Sequence, residues 1–321
     1  MACWNGLERW LGVPWPVWGP AGIEEVRQLV RWADVVHVHD CLYLGSAIAV
    51  FGARRIEKPV ALSQHIGFVS YASPWLNLLE RAAYRTLGRA VLRSASRVVF
   101  CTPTAEEFVT ALFRGRPVRA TAIPNGIDTA RFRPATSDER LQARRALGLP
   151  VSGPVVLFVG RLVEKKGVNL FLEVSRRTPF MHFLLVGDGP LQPAPAENLT
   201  WIPCVPQDRM ETVYQGADVL LLPSHGEGFP LAVLEAMAAG LPVIVSKEQA
   251  FVKPLERAGA CVAAERAAPE LCEALNRLLA APELAAGMGG RARELVVREW
   301  GLETMAARYL ALLRELAMKG S

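Results

Sequence analysis

The chain has 321 residues, 51% of them hydrophobic and 21% charged, a globular composition with room for two domains of ordinary size. No run approaches the ~18 uncharged apolar residues of a spanning helix; the best, Cys41 to Gly52, is 12 long and broken by glycine and serine, so the chain is not expected to cross a membrane. The net charge is +5, and the six cysteines (Cys3, Cys41, Cys101, Cys204, Cys261, Cys272) lie far apart with no C-x-x-C pair, which argues against a zinc knuckle or a disulfide framework.

In chain order, the first 18 residues carry Trp4, Trp10, Trp15 and Trp18 but are interrupted by Glu8 and Arg9. Without a continuous apolar core they do not read as a secretory signal, and a cytoplasmic protein is expected. Asp34 to Asp40 (DVVHVHD), Val60 to His65 (VALSQH) and Arg97 to Cys101 (RVVFC) read as strands with helices between them. His37 and His39 face one side of their strand but have no evident third ligand, so they read as core or strand-end histidines. In Leu76 to Arg97, Arg81, Arg85, Arg89, Arg93 and Arg97 recur every fourth residue among leucines and alanines. On a helix this makes a slowly spiralling basic stripe opposite an apolar face. Two readings stay open: a solvated face, or a surface that attracts anionic lipid or a phosphate-bearing acceptor and holds the chain at the inner face of a membrane. The charge is divided accordingly: residues 1–134 hold 16 Lys+Arg against 10 Asp+Glu, and residues 135–321 hold 20 against 21. No nucleic-acid partner is expected.

Pro124 to Pro150, rich in proline, arginine and aspartate, reads as the joint between halves, with the boundary near Pro134. Asn125 and Asp128 there suit a turn as well as a ligand contact. Beyond it, Pro154 to Gly160, His182 to Gly187, Leu199 to Val205, Asp218 to Ser224, Pro242 to Ser246 and Gly259 to Ala264 read as strands. Helices are expected near Val168–Arg177, Asp208–Gly216, Pro230–Ala239, Pro254–Ala258 and Pro269–Ala281. Apolar strands alternating with helices make a parallel sheet covered on both faces. The organisation is therefore α/β: domain 1–134, domain 135–300, and a helical segment 301–321 whose apolar spacing from Leu302 to Met318 suits packing.

Ligands of open parallel sheets sit at the carboxyl ends of the strands, where the polar interruptions fall here. Gly160 and Arg161 end one strand, with Lys166 and Gly167 opening the next helix. Gly187 and Asp188 end another. The loop Ser224 to Pro230 (SHGEGFP) is spaced by glycines, and Pro230 suits the first helical position. Free N–H groups at such a helix start make an anion site. Glu227 in the loop and Glu235 in the helix behind it read as acceptors from sugar hydroxyls, because carboxylates are poor phosphate ligands.

The runs GRLVEKKG (Gly160 to Gly167), VGDGP (Val186 to Pro190) and ADVLLLPSHGEGFPLAVLEAMAAGLPVIVS (Ala217 to Ser246) resemble the donor domain of retaining glycosyltransferase family 4. PNGID (Pro124 to Asp128) and DVVHVHD resemble it too. The resemblance implies the GT-B fold, two Rossmann-like parallel-sheet domains facing a cleft, with the last helix crossing back to the first domain. It implies transfer of a sugar from a nucleotide-diphosphate sugar, with retained configuration and no metal, to a glycan, lipid-linked or small-molecule acceptor. Arg161 and Lys166 match positions that hold the diphosphate, Glu227 the glutamate near the donor sugar, and Glu235 the one that binds ribose. Gly228, Phe229, Pro230 and Leu231 match the segment wrapping the phosphates and sugar, and His65 a histidine near the transferred sugar.

Two departures are notable. Only 33 residues precede Asp34, without the family's first strand and glycine-rich loop, so an incomplete N-terminal domain is expected. After Ser246 the chain reads KEQAFVKPLERAG where the family has a glycine pair and a polar turn. The first departure keeps open a non-catalytic, nucleotide-binding or partner-binding relative. A nicotinamide enzyme lacks its complete G-x-G-x-x-G, and a serine hydrolase its G-x-S-x-G elbow.

Overall fold

The computed structural model describes residues 3–4, 17–68, 73–113, 119–225, 227–249 and 251–320; Trp10, Trp15 and Gly226 lie outside them, as do the side chains of Trp4 and Trp18. The chain divides into two units, Met1–Asn125 with Met305–Ser321, and Gly126–Thr304. The division falls at Asn125 rather than near Pro134 because Ile127 and Phe132 are buried in the second core, where Ile127 also bridges to Gly301.

In the first unit, β1 (Cys3–Trp4) and β2 (Val17–Trp18) pair antiparallel. Helix α1 (Pro20–Trp32) follows, with proline at its first position, where a missing N–H costs nothing. Then come β3 (Val36–His39), α2 (Leu44–Arg55), β4 (Val60–Gln64), α3 (Pro74–Ala83), a π-helical turn at Tyr84–Gly88, α4 (Arg89–Ser94), β5 (Arg97–Phe100), α5 (Pro103–Phe113) and β6 (Ala120–Ala122). Strands β3-β4-β5-β6 form a parallel sheet in that order. All five residues of β4 are buried, as a central strand covered on both faces requires. One face packs α1, α2, α4 and α5 through Val30, Val50, Leu92 and Val109. The other is closed by Leu312 and Leu316 of the helix Leu302–Gly320, which bury with Ala61, Val99 and Ile123.

Two sequence expectations change here. Strand β6 was not foreseen: its three residues, ATA, are too few and too polar to stand out. The basic helix ends at Ser94, and Arg97 opens β5, where it pairs with Glu315 at 2.8 Å. Arg97 is therefore no part of the stripe.

The second unit begins with α6 (Ser137–Ala146), whose Thr136 and Glu139 form a capping box. The remaining elements are β7 (Val155–Val159), α7 (Val168–Arg177), β8 (His182–Val186), β9 (Leu199–Ile202), α8 (Met210–Gln215), β10 (Val219–Leu222), α9 (Leu231–Ala238), β11 (Val243–Ser246), α10 (Val252–Arg257), β12 (Val262–Ala264), α11 (Ala268–Leu279) and α12 (Pro282–Trp300). The sheet is parallel throughout, in the order β12-β11-β10-β7-β8-β9. From β7 the chain winds outward through β8 and β9, then returns to lay β10 on the other side of β7. The order reverses between β7 and β10, and a crevice opens at their carboxyl ends. At the opposite ends, buried Arg144 donates to Asp218 at 2.5 Å and Arg140 does so at 2.6 Å, tying α6 to the start of β10.

Candidate active site

The crevice between β7 and β10 collects the sequence-singled residues of the second unit. Gly160 and Arg161 follow β7, and the loop Pro223 to Pro230 follows β10. The two loops are locked together. His225 N–H donates to the Lys165 carbonyl at 2.9 Å. Gly167 adopts φ 78° and presses against the Pro223 carbonyl, so any side chain there meets both strain and collision. Gly187, at the end of β8, has φ 135°, and a Cβ on it would collide with the Gly160 carbonyl. These two glycines let three loops converge at backbone distance.

Lys166 crosses the crevice and donates from Nζ to Glu227 Oε2 at 3.0 Å, with the side chains 22% and 12% exposed. Glu227 Oε1 is buried without a hydrogen-bond partner among the described residues. A buried, unpaired carboxylate oxygen is costly unless a ligand donor completes it. Arg161 is exposed, and no hydrogen bond or ion pair holds its side chain among the described residues. Asp188 is exposed at the neighbouring loop, where its carboxylate accepts from Gly189 N–H at 2.7 Å.

Helix α9 starts at Leu231, and Pro230 is its N-cap, not its first residue; its carbonyl accepts from Val233 N–H at 3.0 Å. Leu231 is 48% exposed. The Phe229 side chain stacks on Phe251 at 4.9 Å and meets Trp300 edge-on, so it anchors the loop by packing while the main chain at Gly228 and Phe229 borders the crevice. Glu235 lies nearly buried and accepts from the Tyr214 hydroxyl at 2.5 Å. Burial pushes its carboxyl above the ordinary value, against the opposing effect of Tyr214 and Arg131.

Sequence reasoning missed Gln249 and Tyr214. Gln249, 3% exposed, lies in the KEQAF stretch; its Oε1 accepts from Glu227 N–H at 2.9 Å and its Nε2 donates to the Ser224 carbonyl at 2.6 Å. One side chain thus braces both ends of the glutamate loop. The only local signal was a polar residue where the family pattern differs. A cavity of about 660 Å³ lies at the opposite edge of the sheet, lined in part by Arg140, Asp218 and Arg293. It stands at the amino ends of the strands, away from this chemistry.

In the first unit, His65 follows β4, where Asp40 Oδ1 accepts from its N–H at 2.9 Å. Asp40 is buried with φ 55°, a left-handed conformation that aspartate tolerates. The His65 ring shares a 2.8 Å hydrogen bond with His39, and His37 shares one of the same length with Ser63. Burial, then the neighbouring histidines, lowers the His37 pKa to about 4. Among the described residues no three His, Cys, Asp or Glu side chains are grouped to hold a metal, and no helix is long and apolar enough to cross a membrane. Asp128 closes a turn, accepting from Ala130 N–H at 3.1 Å and Arg131 N–H at 3.0 Å.

Two parallel-sheet α/β units, the second with cationic and carboxylate groups at its switch point, define a protein of the GT-B fold. A family model described as Glycosyltransferase Family 4 matches residues 6–131, and one described as Glycosyl transferases group 1 matches residues 153–281. The chain belongs to glycosyltransferase family 4. Among curated relatives, D-inositol 3-phosphate glycosyltransferase of Acidothermus cellulolyticus is 31% identical over 240 residues, covering 67% of this chain and 52% of the relative. That of Segniliparus rotundus is 33% identical over 224 residues, covering 64% and 49%. The chain spans about half the length of the curated relatives it matches. Among solved structures, sucrose-phosphate synthase from Thermosynechococcus elongatus superposes with TM-score 0.71 at 22% identity, covering 94% of this chain and 80% of that one. Anabaena HepE in complex with UDP-glucose does so with TM-score 0.74 at 16% identity, covering 92% and 84%. These structural likenesses are of fold.

Proposed function

We propose that this protein is a glycosyltransferase that moves a sugar from a nucleotide-diphosphate sugar to a glycan, lipid-linked or small-molecule acceptor, with retained anomeric configuration and without a metal. The observation that carries the reading is the Lys166–Glu227 pair across the switch point, with Glu227 Oε1 buried and unpaired. The curated relatives are glycosyltransferases and HepE forms a complex with UDP-glucose, which supports this class of reaction and donor.

In this reading the acceptor hydroxyl attacks the anomeric carbon as the bond to the diphosphate breaks. Negative charge develops on the departing phosphate oxygen, which takes the acceptor's proton, so no protein base is required. Arg161, Lys166 and the free N–H groups at the start of α9 stabilise that charge where it appears; one such fixed donor is worth about 10²–10³ in rate. Glu227 Oε1 accepts from a hydroxyl of the transferred sugar, and Glu235 from the ribose. Gly160, Gly187 and Asp188 shape the crevice.

Calorimetric titration with UDP, GDP, ADP and their sugar conjugates, followed by an assay for slow sugar-nucleotide hydrolysis, tests this. Binding with hydrolysis supports it. Binding without hydrolysis points to a non-catalytic nucleotide-binding relative, and no binding of any nucleotide overturns it.

A further inference from the structure

The basic stripe is not a flat surface. Arg81, Arg85 and Arg89 line a cavity of about 610 Å³ in the first unit, together with Phe68, Tyr84 and Phe108. That volume lies within the range of small-molecule sites, about 300–1,000 Å³.

The backbone explains why three arginines share one cavity. In a regular α-helix a four-residue step overshoots a full turn by about 40°, so arginines spaced by four spiral away from one another. Here Tyr84–Gly88 is π-helical. The wider turn takes more residues, and a four-residue step falls short of a full turn instead. The drift before the π turn is offset within it, keeping Arg81, Arg85 and Arg89 on one side. π turns of this kind are rare and recur at functional sites.

The aromatic wall is packed and the charge is unspent. Tyr84 is 2% exposed, donates its hydroxyl to the Gly67 carbonyl at 2.9 Å and packs edge-on to Phe108 at 4.6 Å. The Arg81 guanidinium sits 5.0 Å over the Phe68 ring, which fixes its plane without neutralising it. Arg89 holds a buried Nε–H with no acceptor. Among the described residues none of the three arginines has an acidic partner, and Pro74–Ser94 carries four arginines against the single acid Glu80. Elsewhere in the fold, arginines such as Arg131, Arg140 and Arg144 are paired with carboxylates.

We propose that this cavity binds a phosphate group carried by the acceptor. Planar guanidinium forks match phosphate oxygens in pairs, and the aromatic wall covers the adjoining carbon skeleton. The word acceptor rests on the function proposed above; the phosphate site itself does not.

The test is calorimetric titration of the full chain with inorganic pyrophosphate in the presence of saturating UDP, which occupies the β7–β10 crevice. Wild type, Arg85→Lys, Arg85→Gln and the triple Arg81→Gln/Arg85→Gln/Arg89→Gln variant are compared. Pyrophosphate affinity is expected to fall at least tenfold in the triple variant and less in Arg85→Lys, with UDP affinity and melting temperature unchanged. Equal pyrophosphate affinity in wild type and the triple variant overturns the proposal. Flotation with phosphatidylcholine vesicles, with and without phosphatidic acid, separates the sources. Arginine-dependent capture by phosphatidic acid assigns the phosphate to a lipid, and its absence beside intact pyrophosphate binding assigns it to a soluble acceptor. If UDP fails to bind while pyrophosphate binding still depends on the arginines, the phosphate site stands and the transferase reading falls.

Discussion

Replacing Gln249 by alanine tests whether the glutamate loop is braced as the geometry indicates. The substitution removes two hydrogen bonds, from Glu227 N–H at 2.9 Å and to the Ser224 carbonyl at 2.6 Å, at a side chain 3% exposed. Each buried main-chain group left without a partner costs about 1–3 kcal/mol, and water entering the shortened side chain's space returns part of it. A net loss of about 2 kcal/mol lowers the melting temperature of a unit this size by about 4–8 °C. Glu227 loses its main-chain anchor, so donor affinity falls as well. Gln249→Glu keeps the acceptor for Glu227 N–H but sets a carboxylate against the Ser224 carbonyl, and is expected to be no better than alanine. Thermal denaturation and titration with a sugar nucleotide read the two effects together. Unchanged melting with unchanged donor affinity in Gln249→Ala refutes the bracing argument.

Arg161→Ala and Lys166→Ala are each expected to lower kcat/KM about 10²–10³-fold while the far-UV spectrum stays native; near-wild-type rates in both sink the leaving-group assignment. Asp218→Ala leaves the Arg144 guanidinium, 6% exposed, without its carboxylate and is expected to cost about 3 kcal/mol in chemical denaturation. His37 has its pKa lowered from 6.5 to about 4, so the unfolded chain takes up its proton first. Stability is full above pH 6.5 and falls as pH drops toward 4, by about 1–2 kcal/mol after discounting for the partly exposed ring. Denaturant midpoints between pH 7.5 and 4.5 should show this slope flatten in His37→Gln. Glu227→Gln is expected to lose turnover yet bind UDP more tightly; weaker UDP binding in that variant contradicts the electrostatic argument.

The second unit was legible because its strands are apolar runs closed by glycine, proline or serine, and each closing residue marks a strand end where ligands sit. Gly160, Gly187 and the loop before Pro230 follow directly. The first unit was harder. Arg97 reads both as the last arginine of the stripe and as the first residue of the strand RVVFC, and no glycine or proline among Ser94, Ala95 and Ser96 marks where the helix stops; the sheet decides, by recruiting Arg97 to pair beside Ala61. The unit boundary depends on Ile127 and Phe132 being buried by residues far along the chain, which no window reveals. The same holds for side chains that act at a distance. Tyr214 reaches Glu235 across 21 positions, and Gln249 reaches Glu227 across 22. Sequence shows which residues border a strand end but not which distant side chain holds them there.

The Lys166–Glu227 pair carries a conflict that bears on how the crevice works. A nucleotide diphosphate brings negative charge, and a carboxylate beside it is repulsive unless something masks it. Lys166 masks Glu227, but an ammonium engaged at 3.0 Å gives less to an incoming phosphate. The second oxygen resolves the conflict. Glu227 Oε1 is buried and unpaired, so a sugar hydroxyl donating to it lowers the carboxylate's demand on Lys166 as the sugar seats. Under the function proposed above, the cation is then released toward the diphosphate when the sugar is present, and held back when a bare nucleotide occupies the crevice. Because the leaving oxygen gains charge only as the bond breaks, a lysine freed in this way acts most strongly in the transition state, where stabilisation raises rate rather than affinity alone.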